Sequence, residues 1–184
     1  MQELSLNILD IAQNSVSAGA SLIQIGVSAY GEDGRWLRIT IEDDGSGMDD
    51  ETLKSVEDPF FTSRTTRKVG LGVPLFKQAS ESTGGRFSIT SEKGKGTLVT
   101  ATFDTQNIDC TPLGRVNDTV GILIGMNPDI DFTYTVERDG EQFVCDTREI
   151  RVMMDGVPLS EPEVVNWLKE FIEENQTEIL RRRY

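Results

Sequence analysis

The stretch NILDIAQNS, Asn7 to Ser15, reads as part of an amphipathic helix with an unusual polar face. Projected onto a helix, Leu4, Ile8, Leu9, Ile11, Ala12 and Val16 make one apolar stripe. Asn7, Asp10, Gln13, Asn14 and Ser17 fill the opposite arc. A solvated helical face ordinarily carries Lys, Arg and Glu, which are strong helix formers. None of them occurs from Leu4 to Ala20. Short polar side chains compete with the backbone for hydrogen bonds and lower helix propensity. That cost suggests a face doing chemistry, while this helix alone leaves a merely solvated face as the other reading.

Composition narrows that chemistry. The 184 residues suit one large domain, or one domain with an appendage, and 37% hydrophobic content supports a sizeable core. A formal net charge of −13 argues against a nucleic-acid partner, since phosphate-tracking proteins are basic. The chain has no histidine. That excludes imidazole acid–base chemistry, histidine metal ligands and a phosphohistidine carried in cis. Cys110 and Cys145 are far apart and form no metal motif. With no secretory signal and no apolar run of membrane-spanning length, a reduced cytoplasmic protein without membrane contact is expected.

Outward from the first helix, SLIQIGVSAY and RWLRITIEDD read as strands around a GEDG turn. MDDETLKSV begins a short helix, and EDPFFTSRTTRKVG is a polar, basic loop. VPLFKQASESTGG is a second long helix, with Pro74 in its first turn and Gly84-Gly85 at its exit. RFSITSEKGKGTLVTATF is a hairpin. The order predicts an α/β two-layer sandwich, a mixed sheet with helices on one face. Residues 1–105 form that unit. Residues 106–184 are expected to add a small α/β extension: an apolar helix, a hairpin through Asp139-Gly140, and an amphipathic helix opened by a Ser160–Glu163 capping box. The pattern of this last helix suits a core cover or a homodimer contact equally.

Two glycine motifs flank the basic loop. IEDDGSGM ends a strand at Asp43 and places Gly45 and Gly47 before Met48. Glycines there permit positive φ and close backbone approach to a ligand, while Asp43 can accept a hydrogen bond from an amino group. GLGV, Gly70 to Val73, opens the second helix, where free N–H groups and the dipole favour anions. Arg64, Arg67 and Lys68 stand just before it, a local basic cluster suited to phosphates. An oxygen ligand facing phosphates is what Mg²⁺ requires, and Asn14 is the candidate.

Taken in order, these segments resemble the GHKL superfamily of gyrase-type topoisomerases, heat-shock chaperone ATPases, histidine kinases and mismatch-repair ATPases. DIAQNSVSAGA resembles its N box, DDGSGM and GLGV its glycine boxes, and DPFFTSR the F box of histidine kinases. The final hairpin resembles that of a histidine-kinase catalytic domain. The resemblance implies a Bergerat fold binding ATP and Mg²⁺. Carried over by motif, Asp43 would accept the adenine amino group, with Thr97 assisting through water. Gly45, Gly47 and Met48 would shape the base and ribose pocket. Asn14 would ligate Mg²⁺. Gly70, Leu71, Gly72 and Val73 would meet the phosphates, with Arg64, Arg67 and Lys68 on a lid that Phe60 and Phe61 help pack.

Two departures separate this chain from the resemblance. Family ATPases place Glu where this chain has Asp10, and one methylene fewer withdraws the carboxylate by about 1.5 Å. A misplacement of about 1 Å can cost about 10²-fold in rate. The phosphoacceptor histidine and its dimerisation helices are also absent from the sequence. The expected function is therefore an ATP/Mg-binding signalling protein, kinase-like, that passes the γ-phosphoryl to an unidentified partner protein. An ATP-gated protein-binding switch and a slow ATPase with Asp10 as base are the alternatives.

Overall fold

A computed structural model describes residues 3–56 and 71–181. The chain runs α1 (Leu4–Ser17), β1 (Leu22–Tyr30), a 3-10 turn (Glu32–Gly34), β2 (Trp36–Asp43), α2 (Asp50–Val56) and α3 (Gly72–Ser82). It continues with β3 (Phe87–Glu92), β4 (Gly96–Asp104), α4 (Val116–Met126), β5 (Asp131–Arg138), β6 (Glu141–Asp146), α5 (Thr147–Met153) and α6 (Pro162–Arg181). The six strands form one mixed sheet in the order β3-β4-β2-β1-β5-β6. Every neighbouring pair is antiparallel except β1 and β5, which are parallel.

Period-two alternation decides which face is covered. Ile23, Ile25 and Val27 of β1, Leu37, Ile39 and Ile41 of β2, and Phe132, Tyr134 and Val136 of β5 are all buried. Their strand neighbours Gln24, Arg38, Glu42 and Glu137 are exposed. The apolar face packs against Leu4, Ile8 and Ile11 of α1, Phe76 of α3, Val120 and Leu123 of α4, and Leu168 and Ile172 of α6. The sheet runs unbroken past residue 105, because β5 adds to β1 and β6 to β5.

The apolar stripe of α6 covers the core. Two glycines of α4 let the helices approach closely. A Cβ on Gly121 would lie 2.5 Å from Lys169 Cγ, and one on Gly125 would lie 2.6 Å from Val165 Cγ2. The buried Tyr134 hydroxyl donates to Gln176 Oε1 at 2.9 Å, tying α6 to β5. The Ser160–Glu163 capping box does not start this helix. Pro162 occupies the first helical position, where its fixed φ and missing N–H are suited, so the cap falls on Glu161. The short α5 is a further departure from the sequence reading: the Asp146 side chain caps it by accepting from Arg148 N.

Asp44 joins the end of β2 to the start of β1. Its carboxylate accepts from Ser21 N at 2.7 Å, from Leu22 N at 2.9 Å and from the Ser21 hydroxyl. Burial pushes its pKa up, but these hydrogen bonds outweigh it and hold the carboxyl below its ordinary value. Asp104 is likewise held low by the Arg35 guanidinium, and Asp146 by Arg148. A depressed carboxylate stabilises the fold above its unfolded pKa of about 3.9 and loses that contribution as pH falls through the folded value. The thermal midpoint is therefore expected to drop as pH is lowered from 5 to 2.5. Melts of Asp44→Asn should show a shallower acid slope, and an unchanged slope would remove Asp44 from this account.

Candidate functional site

Asp43 ends β2 on the covered side of the sheet and is only 9% exposed. A carboxylate so placed needs hydrogen bonds. Ser15 of α1 donates its hydroxyl to Asp43 Oδ2 at 2.6 Å, and Gly45 N donates to Oδ1 at 2.9 Å. The turn that follows is fastened on two sides. Ser46 N donates to Ala18 O at 2.9 Å, and Gly94 N donates to Ser46 O at 2.7 Å. Gly47 has φ +60°, and a Cβ there would lie 2.0 Å from the Glu92 carbonyl, so only glycine fits.

Above this floor is a cavity of about 190 Å³. Ile11, Ile41, Met48, Val56, Val73, Ile89 and Val99 give it apolar walls. Asn14, Ser15, Asp43 and Thr97 supply polar atoms. Pockets that enclose a drug-sized ligand occupy roughly 300–1,000 Å³. This cavity therefore suits one flat ring of a larger ligand, its edge meeting Asp43. Thr97 faces Asp43 across the β2–β4 pair. Ser91 Oγ lies 2.9 Å from Thr97 Oγ1 and accepts from Met48 N at 2.9 Å. The Asn14 amide has no hydrogen-bond partner among the described residues, which leaves its oxygen open to a hard cation such as Mg²⁺. The described residues thus fit an aminopurine, with the Asn14 side-chain oxygen beside it as the one that would hold a metal ion.

The family described as histidine kinase-, DNA gyrase B- and HSP90-like ATPases, HATPase_c, matches residues 1–107. The chain belongs to this family. Residues 1–107 carry the match to this ATP-binding family, and the mixed sheet with helices on one face is the Bergerat sandwich. Among curated relatives, sporulation kinase E of Bacillus subtilis (strain 168) is 30% identical over 98 residues. That match covers 53% of this chain and 13% of the kinase. Sensor protein kinase FleS of Pseudomonas aeruginosa is 30% identical over 111 residues, covering 60% of this chain and 27% of FleS. The chain thus spans well under half the length of these relatives. The Aquifex aeolicus MutL ATPase domain, solved in complex with ADP, superposes with a TM-score of 0.52 at 13% identity, covering 84% of this chain and 70% of that one. An 84% overlap cannot fit inside residues 1–107, so the shared fold reaches into the C-terminal part.

Of the residues singled out from sequence, Asn14, Asp43, Gly47, Met48, Val73 and Thr97 line one cavity, and Gly45 holds Asp43 from beneath. Leu71, 60% exposed, precedes α3, whose first residue Gly72 abuts Asp10: a Cβ on Gly72 would lie 2.9 Å from Asp10 Cβ. Asp10 does not line the cavity. It lies in a neighbouring groove between α1 and α3, beside Leu6, Leu75 and Gln78. Arg64, Arg67, Lys68, Gly70, Phe60 and Phe61 lie outside the described residues. Sequence reasoning missed Ser15 and Ser91. Ser15 did carry a signal, since it follows Ile8 and Ile11 on the apolar stripe, where a hydroxyl requires a buried partner.

Proposed function

We propose that this chain is a kinase-like module that binds ATP with Mg²⁺ and transfers the γ-phosphoryl group to a residue of a separate partner protein. The observation that carries the reading is the buried Asp43 carboxylate, oriented by Ser15 and Gly45 at the end of an apolar slot. That arrangement suits the adenine amino group. Asn14 lies on the same wall, and the start of α3 abuts Asp10 on the neighbouring turn of α1. Asn14 would hold Mg²⁺, which when bound offsets phosphate charge. Gly70, Leu71 and Gly72 would present backbone N–H groups to the phosphates, with Arg64, Arg67 and Lys68 as further cationic contacts. The relatives' names, sporulation kinase E and sensor protein kinase FleS, favour phosphoryl transfer. None of these 184 residues is a histidine, so a histidine acceptor must lie outside them.

A second reading has its own support. Asp10 lies against Gly72 at the helix start assigned to the phosphates, but its carboxylate is one methylene shorter than the Glu of family ATPases, which favours slow turnover and an ATP-gated binding switch. Tracing γ-labelled phosphate in the presence of partners captured with ATP separates the readings. Label on a partner is expected; free phosphate alone would make the chain a hydrolase, and neither would make it a switch. For the metal role, Asn14→Ala should weaken Mg²⁺-dependent ATP binding, and an unchanged magnesium titration would remove Asn14 from it.

A further inference from the structure

We infer that Ser91, through the direction of one proton, makes the floor of the cavity select a purine with an amino group at C6 over one with an oxo group. The inference rests on the nucleotide reading above. Ser91 Oγ has three neighbours, each at 2.9 Å: Met48 N, Gly96 O and Thr97 Oγ1. An amide N–H only donates and a carbonyl oxygen only accepts, and a serine hydroxyl has one proton. That proton goes to Gly96 O, and Met48 N–H points at Ser91. In the remaining contact Thr97 must therefore donate to Ser91, which turns the Thr97 lone pairs toward the cavity.

Asp43, opposite Thr97 in the β2–β4 register, is also an acceptor. Its nearest donors, the Ser15 hydroxyl and Gly45 N–H, are already directed onto it. At this floor the strands thus offer acceptors alone. A C6 amino group brings the donors they need. A C6 oxo group would set a third acceptor against two; the N1–H beside it is a single donor and leaves acceptors unpaired, and an unpaired buried acceptor is costly. Ser91 touches Thr97 and not the ligand, so it is a positioning residue.

The test titrates ATP and inosine triphosphate onto the full chain by calorimetry. Wild type is expected to prefer ATP by at least about tenfold. Ser91→Ala frees the Thr97 hydroxyl to rotate and donate, so the ATP-to-inosine-triphosphate ratio should narrow about three- to tenfold. Thr97→Val should narrow it similarly, and the double variant should add nothing further, as residues acting in series require. Should the alanine chain not fold, Ser91→Cys, with its weak donor in similar volume, carries the same comparison. Equal losses for both nucleotides would give Ser91 a structural role only and overturn the inference, as would full additivity in the double variant. A wild-type chain that binds neither nucleotide overturns the nucleotide reading itself. Strong wild-type preference for ATP left unmoved by Ser91→Ala overturns only the role of Ser91.

Discussion

Replacing Asp43 with Asn is expected to weaken ATP binding by one to two orders of magnitude. The substitution keeps the shape and changes the hydrogen-bonding sense of one atom. With an amide, the oxygen is drawn to Gly45 N–H, which can only donate and lies 2.9 Å from Oδ1. The NH₂ group then occupies the place of Oδ2, where the Ser15 hydroxyl can reverse and accept from it. Its second proton points into the cavity and meets the adenine amino group, donor against donor. A hydrogen bond to a charged group contributes about 1.5–3 kcal/mol, and about 1.4 kcal/mol is tenfold in affinity. Calorimetric titration of ATP measures the loss, with a thermal melt to establish that the variant is folded. An affinity within twofold of wild type would show that Asp43 does not read the base.

The parts of this site that were legible in sequence are those set by local pattern. Asn14 is legible because a helical face without Lys, Arg or Glu is unusual, and Asp43 because alternation ends there against two glycines. The strands β1 and β2 follow from Ile23, Ile25 and Val27 and from Leu37, Ile39 and Ile41. What escaped depends on contacts distant in sequence. Ser15 meets Asp43 across 28 residues, and its role follows only once α1 is laid over the end of β2. The orientation of Asp10 depends on how α3 packs against α1 at Gly72. The hairpin of β5 and β6 announces that its two strands are neighbours, but nothing within it names the strand it will join. That choice needs the α4 crossover, which carries the chain from β4 past β2 and β1 to place β5 parallel to β1.

Ending the chain at residue 105 is expected to abolish the fold, even though the matched ATP-binding segment stops at residue 107. In the full chain β1 is an interior strand, paired with β2 on one side and β5 on the other. Without β5 its backbone becomes a bare edge along Leu22 to Ala29. The start of α1 loses two ties, Leu4 N to Pro112 O and Ser5 N to Leu113 O, both 2.9 Å. The core loses Val120, Leu123, Ile124, Phe132, Tyr134, Val136, Leu168 and Ile172, every one of them almost fully buried. Burial of one such side chain is worth about 1.5–3 kcal/mol. A few losses of that size on the faces left uncovered in residues 1–105 are comparable to the roughly 5–15 kcal/mol by which a whole domain is stable. Residues 1–105 should therefore show no cooperative thermal transition by circular dichroism and no saturable ATP binding. A cooperative melt together with ATP affinity equal to that of the full chain would defeat this expectation. A gentler variant locates the cause: Gly121→Val forces a side chain into the Lys169 stem and should lower the midpoint by separating α4 from α6. If it does so while ATP affinity in the remaining folded fraction is unchanged, the C-terminal residues support the nucleotide site by completing the sheet and not by touching the nucleotide.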